Sequence, residues 1–179
     1  MGLRKALAYS KKKARPYTRN SRRKDKSYIK TIPGSKIVKF SAGSERDFKQ
    51  GKHEYAVKLI AEEFAQIRDN SLEACRMLVT KVLDEQAPGQ YFLIVRAHPH
   101  HFLRENKSAA AVAGADRIST GMTQSFGVII GRAAMVKQGN EIIFISCANE
   151  KTARIARDAL IAVKAKVPCR AKILFEKAK

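Results

Sequence analysis

Histidines and other polar side chains are concentrated in the stretch RAHPHHFLRENK, residues 96–107. Side chains of these types can ligate a metal, transfer protons in catalysis or contact nucleic acid. A zinc site usually takes four ligands in a fixed tetrahedral geometry. Pro99 separates His98 from His100, and the adjacent His100 and His101 point to opposite sides of an extended chain. The spacing therefore favours contacts to nucleic acid over a metal site, and no cofactor is predicted.

Catalytic chemistry finds little support elsewhere in the chain. There is no G-x-S-x-G motif, and the glycine spacing fits neither a P-loop nor a dinucleotide-binding motif. The three cysteines, Cys75, Cys147 and Cys169, never form C-x-x-C, so they encode neither a disulfide framework nor a zinc site. These features favour a reducing cytoplasm and a protein that is not an enzyme. A metal-dependent RNA-processing enzyme is the least favoured alternative because no ligand set is assembled.

The net charge points to a polyanionic partner. The chain has 36 Lys and Arg against 16 Asp and Glu, which gives a formal charge of +20 and a pI near 10.2. Nucleic acid is the first candidate for such a partner. No apolar run approaches the roughly 18 residues that a membrane span needs, so no membrane partner is predicted.

Residues 1–35 are predicted to form a basic extended arm. Residues 1–53 contain 17 Lys and Arg but only three acidic residues, and Tyr9, Tyr17 and Tyr28 are spaced among the cations. Such a segment cannot fold by its own hydrophobic burial. A solvated disordered tail is one interpretation. The tyrosines favour another, in which the arm orders against phosphates while tyrosine rings stack on unpaired bases.

Hydrophobic periodicity outlines the folded part of the chain. It predicts two helices, which follow N-caps at Asn70 and Asn149. The apolar spacing in residues 53–69 fits both a strand and a helix, and a strand is favoured at the start of this segment. Further strands are predicted around residues 37–40, at 90–98, at 169–175, and as a hairpin of 126–136 with 141–147 that turns at QGN.

These elements predict an α+β fold in which two helices pack on one face of a mixed, largely antiparallel sheet. Residues 36–179 form a single domain in this prediction. A long loop, residues 99–124, protrudes from it between two strands. Loops of this length in compact domains are usually functional or disordered, and small residues at 109–115 give this one little to anchor it.

RNA is favoured over DNA as the partner, because the chain has no helix-turn-helix, zinc-finger or basic-zipper pattern. Several stretches, IPGSKIVKF, LIAEEFAQIRDNSLEACR, RAHPHHFLRENK and GADRISTGM, resemble the archaeal and eukaryotic large-subunit ribosomal proteins of the L-ten-e type, the counterparts of bacterial L-sixteen. The resemblance covers almost the whole chain in the same order. The run from Arg96 to Met122 is its most specific part.

The resemblance implies an α/β-hammerhead-like fold and a structural role in the large ribosomal subunit. It implies binding to large-subunit rRNA near the cleft for the tRNA acceptor arms, with loop 99–124 reaching toward the peptidyl transferase centre. The implied partners are large-subunit rRNA, the acceptor end of tRNA and neighbouring ribosomal proteins, with 5S rRNA as a further candidate. The alternative is a free RNA-binding factor in ribosome assembly or regulation.

Two groups of contact residues are predicted on this basis. Those for rRNA are Arg4, Lys5, Lys11, Lys12, Lys13, Arg15, Tyr17, Arg19, Arg22, Arg23, Lys24, Lys26, Arg96, His98 and His100. Those of the loop, facing tRNA or the peptidyl transferase centre, are His101, Arg104, Asn106, Lys107, Asp116 and Arg117.

Overall fold

A computed structural model describes residues 16–18, 23–27, 29, 31–105 and 127–177. The helices are α1 (Glu45–Lys49), α2 (Asp69–Gln86) and α3 (Glu150–Val163). The strands are β1 (Ser41–Gly43), β2 (Tyr55–Ala61), β3 (Ala65–Arg68), β4 (Tyr91–Val95), β5 (His101–Glu105), β6 (Val128–Val136), β7 (Glu141–Cys147) and β8 (Ala171–Lys177). The predicted order of the two long helices among the strands is confirmed, but the first strand lies at Ser41–Gly43 and not at the predicted 37–40, and helix α1 separates it from β2.

The described strands form two antiparallel sheets. Five strands follow the order β1, β4, β7, β2, β8, and three follow the order β3, β6, β5. The chain passes between the sheets four times, and two of these crossings, from β2 to β3 and from β6 to β7, lie side by side. Backbone hydrogen bonds join the two crossings, from Ala61 N to Asn140 O (2.9 Å) and from Gly139 N to Ala61 O (2.8 Å).

The predicted hairpin of β6 and β7 is therefore wrong, although both strands and the turn exist. The turn is closed by a hydrogen bond from Asn140 N to Lys137 O at 3.1 Å. Beyond it, β7 pairs with β2 and β4, whereas β6 pairs with β3 and β5. Residues 142–147 are all buried, and a strand buried on both faces is suited to the centre of a larger sheet.

Both long helices pack on one face of the five-stranded sheet, as predicted. Alternate residues of β2, Val57 and Leu59, point into this core, and α2 contributes Leu72, Val79 and Leu83 at helical spacing. The buried side of α3 is Thr152, Ala153, Ala156, Ala159, Leu160 and Val163. Its alanines allow close approach to α2 and the sheet. The α+β class is confirmed; the second sheet and the short helix α1 were not predicted.

One of the two predicted N-cap positions is observed, and neither predicted side chain caps its helix. Helix α2 begins one residue before Asn70, and the carboxylate of Asp69 accepts from the backbone N–H groups of Asn70 and Lys36, each at 2.9 Å. Asn149 does occupy the N-cap position of α3, but its amide donates to Gln90 at 3.3 Å and does not cap the helix. The side chains of Asp69 and Asn149 thus contact distant parts of the chain, at Lys36 and Gln90. Hydrophobic periodicity in the sequence gives no information on such contacts.

Helix α1 covers part of the opposite face of the five-stranded sheet. The ring of Phe48 lies 5.0 Å from that of Phe92 and 6.0 Å from that of Phe144. Further along this face, the Lys58 ammonium lies between the carboxylates of Glu141 (3.5 Å) and Glu176 (2.6 Å). None of the described helices is both long and apolar enough to cross a lipid bilayer.

Candidate nucleic-acid interface

The N-terminal arm touches the folded domain at strand β5. The backbone N–H of Tyr17 donates to Nδ1 of His101 at 2.9 Å, and the backbone N–H of Phe102 donates to Tyr17 O at 3.2 Å. The Tyr17 and His101 rings are 5.4 Å apart. Tyr17 thus lies against His101 and Phe102, the first two residues of β5. Tyr17 and His101 are 84 positions apart in the sequence.

His101 was predicted to lie on an exposed loop, but the structure places it at the start of a strand. Residues 101–105 form strand β5, which pairs with β6, so the start of the predicted loop is not a loop. The His101 side chain is 0% exposed. An enclosed ring cannot reach an RNA in this conformation, and its role here is to hold the arm.

Arg104 lies on the same strand, three residues further on. Its guanidinium carbon is 4.2 Å from the centroid of the Tyr17 ring, a cation–π contact. Tyr17 therefore lies between a buried histidine and a half-buried arginine, both from β5. One residue of the arm meets two residues that were assigned to the loop.

The rest of the described arm is partly buried. Arg23, exposed, precedes a 3₁₀ turn at Lys24–Lys26, in which Lys26 is also exposed. Ile29 is buried at 4% exposure, so this part of the arm is not fully solvated. Further on, the Arg132 side chain of β6 donates to Pro33 O at 2.8 Å. These contacts fix the path of the arm close to the three-stranded sheet.

The connection between β4 and β5 carries three of the predicted contact residues. Arg96 is exposed, pairs with Glu141 at 2.8 Å, and lies 4.8 Å from the Phe144 ring centroid. The His98 ring stacks on Phe40 at 5.1 Å. His100 Nδ1 lies 2.8 Å from His98 O, so the Nδ1–H donates and orients the ring. All three side chains are thus held in place while still exposed to solvent.

Twelve predicted contact residues lie outside the described part of the chain. They are Arg4, Lys5, Lys11, Lys12, Lys13, Arg15, Arg19, Arg22, Asn106, Lys107, Asp116 and Arg117. The nine described candidates fall into three places: Tyr17 of the arm lies against His101 and Arg104 of β5, Arg96, His98 and His100 lie on the connection before β5, and Arg23, Lys24 and Lys26 lie further along the arm.

A second basic surface was not singled out from the sequence. Helix α3 and the segment after it expose several cations on the side away from the core: Lys151, Arg154, Arg157, Lys164, Lys166 and Arg170. Arg154 pairs with Glu150 at 2.6 Å. This surface could have been found from the sequence. The apolar residues at helical spacing mark the buried face of α3, and the cations lie on the opposite face.

The cysteines have the environment of structural thiols. Cys75 and Cys147 are 0% exposed and Cys169 is 9% exposed. Burial raises the pKa of Cys75 and Cys169 to about 11 and that of Cys147 to about 12. Within the described ranges, no cluster of His, Cys, Asp and Glu side chains could hold a metal ion.

Comparison with known proteins identifies the family of this chain. The family model described as ribosomal protein L16p/L10e matches residues 12–174. The chain belongs to this family. A relative from Staphylothermus marinus, named large ribosomal subunit protein uL16, is 40% identical over 177 residues, which are 98% of this chain and 95% of the relative.

Other relatives of the same name agree with that match. The protein from Saccharolobus islandicus strain L.S.2.15 and that from Saccharolobus solfataricus are each 38% identical over 175 residues, covering 97% of this chain and 92% of the relative. The L16p/L10e match includes strand β5, the connection before it and most of the N-terminal arm. The resemblance noted from sequence motifs is thereby confirmed.

Proposed function

We propose that this L16p/L10e chain is a structural constituent of the large ribosomal subunit and that it binds large-subunit rRNA. The observation that carries the proposal is similarity along 98% of the chain to a protein named as part of that subunit. The charge of +20 supports it, because Lys and Arg that contact phosphates release counterions and so supply affinity.

The geometry supports a specific division of labour. The folded domain acts as the scaffold: Tyr17 of the arm lies against His101 and Arg104 of strand β5, and the loop follows that strand in the sequence. Two basic segments that meet the domain at one strand can contact neighbouring RNA elements together. Binding of this kind matches shape and charge and needs no motif for reading base sequence.

Finer assignments rest on the family resemblance. We place the chain near the cleft for the tRNA acceptor arms, with the loop beyond β5 reaching toward the peptidyl transferase centre. Functional loops are usually held by a rigid scaffold, and the pairing of β5 with β6 supplies one here. Neighbouring ribosomal proteins, the acceptor end of tRNA and 5S rRNA are the further partners in this proposal.

Sedimentation of ribosomal particles tests the main proposal. The tagged chain, expressed in cells, is expected to migrate with large subunits and to remain there through a high-salt wash. A chain that dissociates at moderate salt and is found mainly with precursor particles would instead support a free assembly factor.

A matched pair of variants tests the role of the arm. Replacing Lys11, Lys12 and Lys13 by Gln should cause dissociation from subunits at lower salt, because three phosphate contacts are lost. The control replaces three exposed lysines of the domain that pair with nearby carboxylates: Lys49, Lys52 and Lys81. The control should dissociate at the same salt concentration as the unmodified chain.

The loop needs a test of its own. Lys107→Ala and Arg117→Ala should leave incorporation into subunits intact but slow translation, if the loop helps to place tRNA. Arg104→Ala is less suitable because Arg104 also contacts Tyr17. Equal loss of incorporation and translation in both loop variants would contradict the separation of roles between loop and arm.

A further inference from the structure

A concave pocket opens beside the connection that leads into β5. Its volume is about 440 Å³, within the range of roughly 300–1,000 Å³ typical of ligand pockets. The connection with Arg96, His98 and His100 forms one wall, and the turn between β6 and β7, with Asn140 and Glu141, forms the other. Val136 and Ala97, both buried, contribute apolar surface. The pocket thus combines apolar surface with a polar rim.

Two imidazole rings in this wall are held in defined orientations. His98 stacks on Phe40 with an interplanar angle of 17°, and His100 is oriented by its hydrogen bond to His98 O. The two imidazoles are 6.4 Å apart and inclined by 24° to each other. Flat rings that the protein already orients are good stacking partners for an unpaired base, since little side-chain entropy is then lost on binding.

The opposite wall offers hydrogen-bonding groups. Asn140 is exposed, and within the described chain its side-chain amide has no hydrogen-bond partner. The Glu141 carboxylate pairs with Arg96 and Lys58, yet a carboxylate has about four lone-pair sites. Oε2 is buried against Arg96, so Oε1 is the oxygen that can accept a further hydrogen bond. An amide that donates and accepts, beside a carboxylate that only accepts, suits the edge of a base that carries an amino group.

The carboxylate also argues against a phosphate in this pocket. Like charges at close range repel, so a backbone phosphate is better placed outside, near exposed Lys137 or the outer side of Arg96. The charge pattern therefore favours the base of a nucleotide over its phosphate as the group that enters.

We propose that this pocket takes one unpaired nucleobase of the large-subunit rRNA, a base that carries an exocyclic amino group: adenine, guanine or cytosine. The inference rests on the proposed rRNA binding and adds a base-specific contact to it. His98 and His100 supply stacking surface, and Asn140 and Glu141 hydrogen-bond the base edge.

Chemical probing of rRNA bases in purified large subunits tests this inference. Subunits carrying Asn140→Ala or His98→Ala should show one nucleotide whose Watson–Crick edge gains reactivity toward dimethyl sulfate or kethoxal by several-fold. His98→Phe should largely restore protection because it keeps a flat ring. Lys81→Ala, at an exposed cation of α2 that does not line the pocket, is the control and should leave the base protected.

Incorporation of each variant into subunits is measured in the same preparations, which separates the two proposals. Normal incorporation with no change in base reactivity would overturn the base pocket and leave the structural role standing. A uracil that gains reactivity toward a water-soluble carbodiimide, used in parallel because it modifies uracil N3, would also overturn it, since uracil has no amino group. Failure of the unmodified chain to sediment with large subunits would contradict the proposed function itself.

Discussion

The backbone N–H of Tyr17 donates to Nδ1 of His101 across 2.9 Å, although 84 positions separate the two residues. Because Nδ1 accepts, the neutral ring carries its proton on Nε2. The ring is fully buried. This bond ties Tyr17 of the arm to strand β5, which immediately precedes residues 106–126 in the sequence.

We expect His101→Phe to loosen the arm. Phenylalanine keeps a flat ring in the buried site but removes the acceptor for Tyr17 N–H, and loss of a buried hydrogen-bond partner costs about 1–3 kcal/mol. Hydrogen exchange should show faster exchange of the Tyr17 amide, and urea unfolding should show lower stability. His100→Phe, at an exposed ring, should change stability by less than about 0.5 kcal/mol. Equal effects of the two substitutions would contradict the anchoring role of His101.

A second prediction concerns Gly43, at the end of β1. Its φ is +87°, and a Cβ there would lie 2.3 Å from the backbone oxygen of Tyr91. The positive φ alone costs a non-glycine residue about 1–2 kcal/mol, and the clash adds to it. Gly43→Ala should therefore lower the free energy of unfolding by more than about 2 kcal/mol.

Gly89 provides the matched control for Gly43. Its φ is also positive, at +73°, but nothing lies within 4 Å of the position a Cβ would take. Gly89→Ala should therefore cost only the backbone strain. Chemical unfolding of the three proteins would check the difference, and a Gly89→Ala variant as unstable as Gly43→Ala would show that the contact with Tyr91 is unimportant.

Local sequence patterns predicted the two long helices and strands β2, β4, β6, β7 and β8, but they missed β3, β5 and α1 and did not show how the strands pair. The alternation of Val57 and Leu59 and the spacing of Leu72, Val79 and Leu83 report burial of one face, which depends on nearby residues. Nothing in the pattern of β6 and β7 reports that their partners are β3 and β2. Pairing depends on contacts between distant segments, so the hairpin prediction failed.

The candidate site, like the fold, could be predicted only in part from the sequence. Composition predicted a basic arm, and the motif around His98 predicted a functional connection. The burial of His101 and its bond to Tyr17 could not be predicted, because both depend on where the arm crosses β5. Asn140 and Glu141 carry no motif, and only the turn between the two sheets places them opposite His98.

The three cysteines should react slowly in the folded protein. Burial raises the pKa of each thiol to about 11 or 12, so the reactive thiolate is scarce at pH 8 and is also shielded from reagents. Alkylation with iodoacetamide, followed by mass spectrometry, should modify all three within minutes in urea and none over the same period in buffer. Rapid modification of Cys147 in the native state would contradict its placement at the centre of the core.

The last prediction concerns His53, which is 8% exposed and packs beside Phe48. Its Nδ1 lies 3.1 Å from the Ser146 hydroxyl. Burial lowers the pKa of His53 below its usual 6.5, and the nearby Asp47 carboxylate only partly opposes this. The unfolded chain therefore binds a proton more readily than the folded one. The contribution of neutral His53 to stability should be fully present above pH 6.5. It should be lost as the pH falls from 6.5 to the lowered pKa of the folded state.

His53→Gln isolates this contribution, since glutamine keeps a polar partner for Ser146 but does not titrate. Urea unfolding at pH 7.5 and pH 5.5 should show a larger loss of stability for the unmodified protein than for the variant. The carboxyl groups of Asp47 and Glu73 do not interfere, because their pKa values are lowered from ordinary values of 3.8 and 4.5 and lie below this window. The same loss in both proteins would show that His53 is not the group responsible.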